Sequence, residues 1–156
     1  MTYDSLVEQI IAHTDTMYYV SYTLLHHKAD QEDAVQQTIE KALRKHTALR
    51  DEKQVRAWLT RILVNECYNI LRKRKREFPV QALPYNPPAT ADNYAFYAIM
   101  TLPEMYRLPI VLHHQQGYTT KETAKMLRIT ESTVKSRLVR GRKILKTRLQ
   151  QEGALV

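Results

Sequence analysis

Glycine, cysteine and strand-like alternation are all scarce in this chain, and each scarcity removes a class of answer. Gly117, Gly141 and Gly153 are the only glycines in 156 residues, and apolar residues almost never alternate with period two, which argues against a β fold. Cys67 is the only cysteine, so neither an intramolecular disulfide nor a Cys-based zinc site can form. Set within an apolar helical pattern, it reads as a small core residue. No apolar run approaches the length that crosses a membrane. The opening MTYDSLVEQI has no basic segment followed by an apolar one, so the expectation is a cytoplasmic protein without membrane insertion.

Charge is abundant and unevenly placed. The formal net charge is +8, yet residues 1–40 hold seven acids and one lysine, a net of −6. Residues 41–76 carry twelve bases and three acids, a net of +9. Residues 77–120 sum to −2 and residues 121–156 to +7. Two basic blocks on either side of a near-neutral spacer fit two contacts with one polyanion, with the acidic start of the chain facing another partner.

Helical periodicity predicts an all-α protein of two small domains joined by a proline-containing linker, with boundaries at 1–77, 78–93 and 94–156. A first helix places Tyr3, Val7, Ile11, Tyr18, Tyr22 and Leu25 on one side, widened by Leu6, Ile10, Met17 and Leu24. After a break at His26–Ala29, a second helix starts near Asp30 and turns Val35, Ile39, Ala42 and Leu43 inward. Residues 46–53 read as a loop. A third helix runs from about Gln54 to Arg76 and buries Val55, Leu59, Ile62, Leu63, Cys67 and Ile70. Its basic end suits the negative pole of the helix dipole. Pro79, Pro84, Pro87 and Pro88 mark the linker. Beyond it, a short helix ends near Thr101 and another opens at Pro103, a residue suited to a first helical position. Pro109 is expected to kink that helix or delay its start.

The segment from Tyr118 to Lys146 reads as a helix-turn-helix. Thr119 with Glu122 fits a capping box and Thr130 an N-cap. Ala124, Leu127, Ile129, Val134 and Leu138 close the two helices on each other. With Val134, Leu138, Gly141 and Leu145 inward, Ser132, Lys135, Ser136, Val139, Arg140 and Lys143 lie on or beside the outward face. Lys135 and Arg140 reach far enough for guanine O6 and N7, and Val139 suits a thymine methyl. Thr120 and Lys121 are placed to hold phosphates. Such a basic helical pair binds DNA.

The third helix carries a second nucleic-acid signal. Arg56, Arg61, Asn65, Tyr68, Asn69 and Arg72 interleave bases, amides and an aromatic, as single-strand binding requires. Trp58 reads as core packing and Tyr68 stays open. Arg61 equally suits a surface ion pair. The run Arg72, Lys73, Arg74, Lys75, Arg76 is either a phosphate-binding patch or a solvated helix end. Acidic residues around Asp30 do not make a metal centre. Asp30 and Asp33 share a face, but Glu32 diverges by about 100° and no second helix supplies matching carboxylates. Adjacent histidines such as His113 and His114 diverge likewise, so no metal, no cofactor and no catalysis are expected.

Taken in order, four phrases resemble the sigma factors of bacterial RNA polymerase, in their small extracytoplasmic-function (ECF) subgroup. Asp30-Gln31-Glu32-Asp33-Ala34-Val35-Gln36-Gln37-Thr38 is similar to the family's polymerase-docking helix. Arg56-Ala57-Trp58-Leu59-Thr60-Arg61-Ile62, with Asn65 and Asn69-Ile70-Leu71-Arg72, is similar to the promoter-melting helix. Leu102-Pro103-Glu104 with Tyr106-Arg107 resembles the opening of the C-terminal domain. Thr133-Val134-Lys135-Ser136-Arg137-Leu138, with Arg140 and Arg142, resembles its recognition helix.

The resemblance implies that Asp30, Glu32, Asp33, Gln36, Gln37 and Glu40 dock on core RNA polymerase. It also implies that Asn65 and the loop 46–53 hold a flipped base of the −10 element, and that the second helix-turn-helix helix reads the −35 element. An anti-sigma partner is implied too. Three residues depart from the family pattern. Arg128 stands where glycine commonly turns, so a non-glycine residue at positive φ is expected there. Gly141 replaces alanine, at a cost of about 1 kcal/mol. Val139 changes the preferred bases. The rival is a stand-alone helix-turn-helix regulator, which leaves the basic, aromatic third helix unexplained.

Overall fold

A computed structural model describes residues 1–77 and 94–151; the expected linker, 78–93, lies outside the described residues. Among those described there are helices and no strands. The chain divides into two compact units, Met1–Ala82 and Leu83–Val156.

The first unit packs α1 (Tyr3–Leu24), α2 (Lys28–Arg44) and α3 (Val55–Glu77) against one another, each touching the other two. Thr2 caps α1 by accepting from the Ser5 N–H at 3.1 Å. The core-facing stripe of α1 is Leu6, Ile10, His13, Met17, Val20 and Leu24. This corrects the expected face: Ile11 is 70% exposed and Tyr3 49% exposed. Tyr3 instead sets its ring edge-on to His46, with ring centroids 5.5 Å apart. Buried polar residues hid the true stripe. His13 faces Thr60 at 3.3 Å, and the Ser21 and Thr23 hydroxyls donate to the Tyr18 and Val20 carbonyls.

The second helix starts two residues earlier than expected, at Lys28, and His27 caps it without a side-chain bond. Gln31 and Thr38 are buried beside Ala34, Val35 and Ala42. The loop before α3 contains a 3-10 turn, Glu52–Gln54, capped by the Asp51 carboxylate. In α3, Thr60, Val64 and Glu66 are buried while Ile62 and Ile70 are only half-buried, a second correction. Trp58 is half-buried as well, not a core residue.

The second unit gathers α4 (Tyr94–Met100), α5 (Glu104–Ile110) and α6 (Thr120–Leu127) around α7 (Glu131–Gln151). Pro103 stands one residue outside α5, as its N-cap. Pro109 does not delay α5, which opens at Glu104 and runs through it to Ile110. The helix widens directly after it into a π turn, Val111–Gln115, where the Gln116 N–H reaches back to the Val111 carbonyl at 3.0 Å. The N–H that Pro109 lacks would have paired with the Met105 carbonyl, one turn upstream of this widening. Gly117 at φ 77° then redirects the chain, and Tyr118 N–H bonds the Leu112 carbonyl. Leu102, Leu108, Leu112, Val134 and Leu138 fill the core.

Candidate nucleic-acid interface

Local chemistry fixes the two helices of the C-terminal pair. Thr119 Oγ1 accepts from the Glu122 N–H and the Glu122 carboxylate accepts from the Thr119 N–H, both at 3.0 Å, closing the capping box. Arg128 takes the left-handed conformation, φ 57° and ψ 42°, and its N–H bonds the Ala124 carbonyl. A non-glycine residue makes the turn. Thr130 caps α7 by accepting from the Thr133 N–H at 3.1 Å. Ala124, Leu127, Val134 and Leu138 are buried where the helices meet.

Everything expected on the outer face of α7 is there. Ser132, Lys135, Ser136, Val139, Arg140 and Lys143 are all exposed, with Val139 61% exposed despite being apolar. Thr133 is half-buried, its hydroxyl bonded to Thr130. Lys121 is exposed, and the Thr120 hydroxyl donates to the Glu131 carboxylate at 2.8 Å. Gly141 is not a weak point in the helix. A Cβ there would lie 2.8 Å from Ile110 Cδ1 and 3.2 Å from Tyr106 Cβ, so glycine lets α7 approach α5. Arg148 donates to the Thr101 carbonyl and ties the far end of α7 to the chain after α4.

The eight residues expected on α3 do not form one patch. At about 100° per residue, Arg61, Asn65, Tyr68 and Arg72 lie in one stripe, with Asn69 beside it. Asn65 and Tyr68 are half-buried and the others exposed, and Arg72 donates to the Asn69 side chain. Arg56 faces a different way, lining a cavity of about 310 Å³ with Gln9, His13 and Thr16 of α1. Lys73 and Arg74 line a groove of about 500 Å³ between α2 and α3. Arg74 donates to the Asp30 carboxylate there.

That pair also divides the acidic set on α2. Asp30, Asp33 and Gln37 line the groove, whereas Glu32, Gln36 and Glu40 recur every fourth residue on an exposed stripe. Asp30 is the inward member, its side chain 13% exposed. Lower in the groove Lys41 pairs with Glu66, whose side chain is 5% exposed. Glu66 was not foreseen, since an acid between Asn65 and Cys67 carries no sign of a cation on another helix. Glu131 was also missed as a site residue; its spacing of four from Lys135 was the available signal.

Burial governs the titrating groups nearby. Desolvation, reinforced by the charge of Arg56, lowers the His13 pKa to about 4, so this imidazole is neutral at physiological pH. Burial pushes the Cys67 thiol up to about 12, with the Glu66 charge adding to it, which makes it an inert core group. The exposed Glu131 carboxyl is held below its usual range, chiefly by the Thr120 hydroxyl and next by Lys135.

Comparison with known proteins agrees with these features. The family model described as Sigma-70 region 2 matches residues 10–77, and the one described as Sigma-70, region 4 matches residues 96–145. The RNA polymerase sigma factor SigV of Bacillus subtilis is 28% identical over 153 residues, covering 94% of this chain and 92% of that protein. The ECF RNA polymerase sigma factor SigM of Mycobacterium tuberculosis is 37% identical over 121 residues, 72% of this chain and 61% of that protein. Among solved structures, the sigma factor RpoE from Bartonella quintana, crystallised with the anti-sigma factor NepR, superposes with a TM-score of 0.76. It shares 26% identity and covers 92% of this chain and 95% of its own. With both regions matched and relatives along its length, this chain belongs to the sigma-70 family of RNA polymerase sigma factors, in the ECF group, and directs transcription initiation as an alternative sigma factor.

Proposed function

We propose a division of labour between the two units. The first, residues 1–77, docks on core RNA polymerase and opens the −10 element. The last, residues 94–156, holds the −35 element, and residues 78–93 join them. The observation that carries this reading is the outer face of α7, where Ser132, Lys135, Ser136, Val139, Arg140 and Lys143 are all exposed and the helix-turn-helix behind them is well capped. Lys135 and Arg140 donate to guanine O6 and N7 in the major groove, Val139 packs on a thymine methyl, and Ser132, Thr133, Ser136 and Lys143 complete the face. Thr120 and Lys121 hold flanking phosphates.

On the first unit, Arg61, Asn65, Tyr68 and Arg72 are the track for extruded bases, with Asn69 at its margin. Unstacking costs a few kcal/mol per step and is offset by stacking and amide contacts. Arg56, Lys73 and Arg74 lie off the track, Arg56 towards α1 and the other two in the groove with α2, and add only longer-range positive charge, Arg74 while bound to Asp30. Glu32, Gln36 and Glu40 form the outer docking stripe for a basic polymerase surface, and Asp33 and Gln37 border it. Asp30 contributes indirectly, by holding Arg74. No helix of the described residues is long and apolar enough to cross a membrane; the working compartment is the cytoplasm, where polymerase and promoter are. An anti-sigma protein holds the factor in reserve, a reading supported by the similar RpoE of Bartonella quintana, crystallised with the anti-sigma factor NepR.

Transcription by core polymerase carrying this chain, on templates randomised through the −35 element, tests the assignment. Lys135→Ala and Arg140→Ala are each expected to shift the preferred bases, losing about 1–3 kcal/mol per contact. Unchanged preferences in both variants refute it.

A further inference from the structure

Glu131 is the only acid in the described length of α7, and it opens the helix on the same side as the basic residues that face outward. A carboxylate at a first helical turn has a general use, stabilising the positive end of the dipole. That use needs no particular side-chain partners. Here Oε1 receives the Thr120 hydroxyl at 2.8 Å from the preceding helix and faces Lys135 Nζ at 3.6 Å from the next turn. Its second oxygen, Oε2, accepts no hydrogen bond among the described residues.

An ionised carboxylate on a DNA-binding face is repelled by phosphates and accepts only, so the groups left to it are the exocyclic amines of the bases. The first residues of such a helix are those that meet base edges. Of the two amines in the major groove, adenine N6 lies beside the N7 acceptor, which repels a carboxylate. Cytosine N4 has no acceptor on its own base there.

We propose that Glu131 is a specificity-determining residue of the −35 interface, accepting from N4 of one cytosine while Thr120 and Lys135 position its carboxylate. This rests on α7 being the −35-reading helix. Lys135 then serves the bases through Glu131 as well as directly, and Thr120 serves them through Glu131.

The test uses core polymerase loaded with the full chain and a promoter library randomised through the −35 element. The wild type, Glu131→Ala, Thr120→Val and Arg140→Ala are compared base pair by base pair. The wild type shows a cytosine preference at one pair, of about fivefold or more. Glu131→Ala abolishes it at that pair alone, and Thr120→Val weakens it at the same pair without creating a new preference. A purely structural Glu131 would instead lower output evenly across all sequences, and that result overturns the proposal. So does a Glu131→Ala profile identical to the wild type while Arg140→Ala shifts another pair. If none of the variants shifts any pair, the reading of α7 itself fails and the proposal falls with it.

Discussion

Gly141→Ala puts the packing of α7 on α5 to a quantitative test. In an exposed helix the change gains about 1 kcal/mol, because alanine is the better helix former. At this position the new Cβ would sit 2.8 Å from Ile110 Cδ1, 3.2 Å from Tyr106 Cβ and 3.5 Å from the Tyr106 carbonyl oxygen. Carbon atoms rest at about 3.5–4.0 Å, so Ile110 must retreat by roughly 0.7 Å or more. Ile110 is 2% exposed and has no solvent to move into, and Tyr106 Cβ is fixed to the backbone. Overpacking of this kind costs about 1–3 kcal/mol. The net expectation is a loss of about 1 kcal/mol, opposite in sign to the propensity. Urea titration of the full chain followed by circular dichroism reads it. Ile110→Val removes the offending methyl and should recover much of the loss in the Gly141→Ala background, a coupling that a double-mutant cycle measures. A Gly141→Ala protein more stable than the wild type by about 1 kcal/mol would refute the packing argument.

Other changes test the remaining features. Arg128→Gly relieves a left-handed residue at φ 57° and should stabilise the protein by about 0.5–1 kcal/mol in the same titration, with no change in the circular dichroism spectrum. His13 has its pKa lowered to about 4 in the fold against 6.5 when exposed, so the unfolded chain binds the extra proton between those values. Its contribution therefore lowers stability as pH falls through that window, by on the order of 1–2 kcal/mol at pH 5, and vanishes above pH 7. His13→Gln should flatten the slope between pH 4 and 6.5; an unchanged slope contradicts the assignment. Lys41→Met leaves the buried Glu66 carboxylate without its cation and should cost about 1–3 kcal/mol, whereas adding Glu66→Gln should restore part of it.

Features determined within a few residues were legible in the sequence. The capping box of Thr119 and Glu122, the N-cap Thr130 and the outward face of α7 all depend on spacing alone, and each is found where spacing puts it; the left-handed turn at Arg128 followed from the family resemblance. The inward face of α1 was misread because Ile11 and Tyr3 look like core while His13 and Ser21 do not. The latter are buried because partners on α3 or the helix's own carbonyls satisfy them, and hydropathy does not record partners. The same reason hid Glu66, whose cation lies twenty-five residues away on α2. On α3, residue types pointed to single-strand binding and helical spacing alone groups Arg61, Asn65, Tyr68 and Arg72, but only the packed helix shows Arg56 turned to α1 and Lys73 and Arg74 turned to the groove with α2.

The central claim is that this chain grips a promoter at two places and does so only as part of polymerase. Run-off transcription from a promoter library, by core polymerase with and without the purified chain, tests it most directly. The expected result is a set of start sites that appear only with the chain and share two sequence blocks at promoter −35 and −10. The chain alone should bind the same duplexes weakly. A folded chain that yields no start site of its own, yet binds a duplex tightly without polymerase, would contradict it.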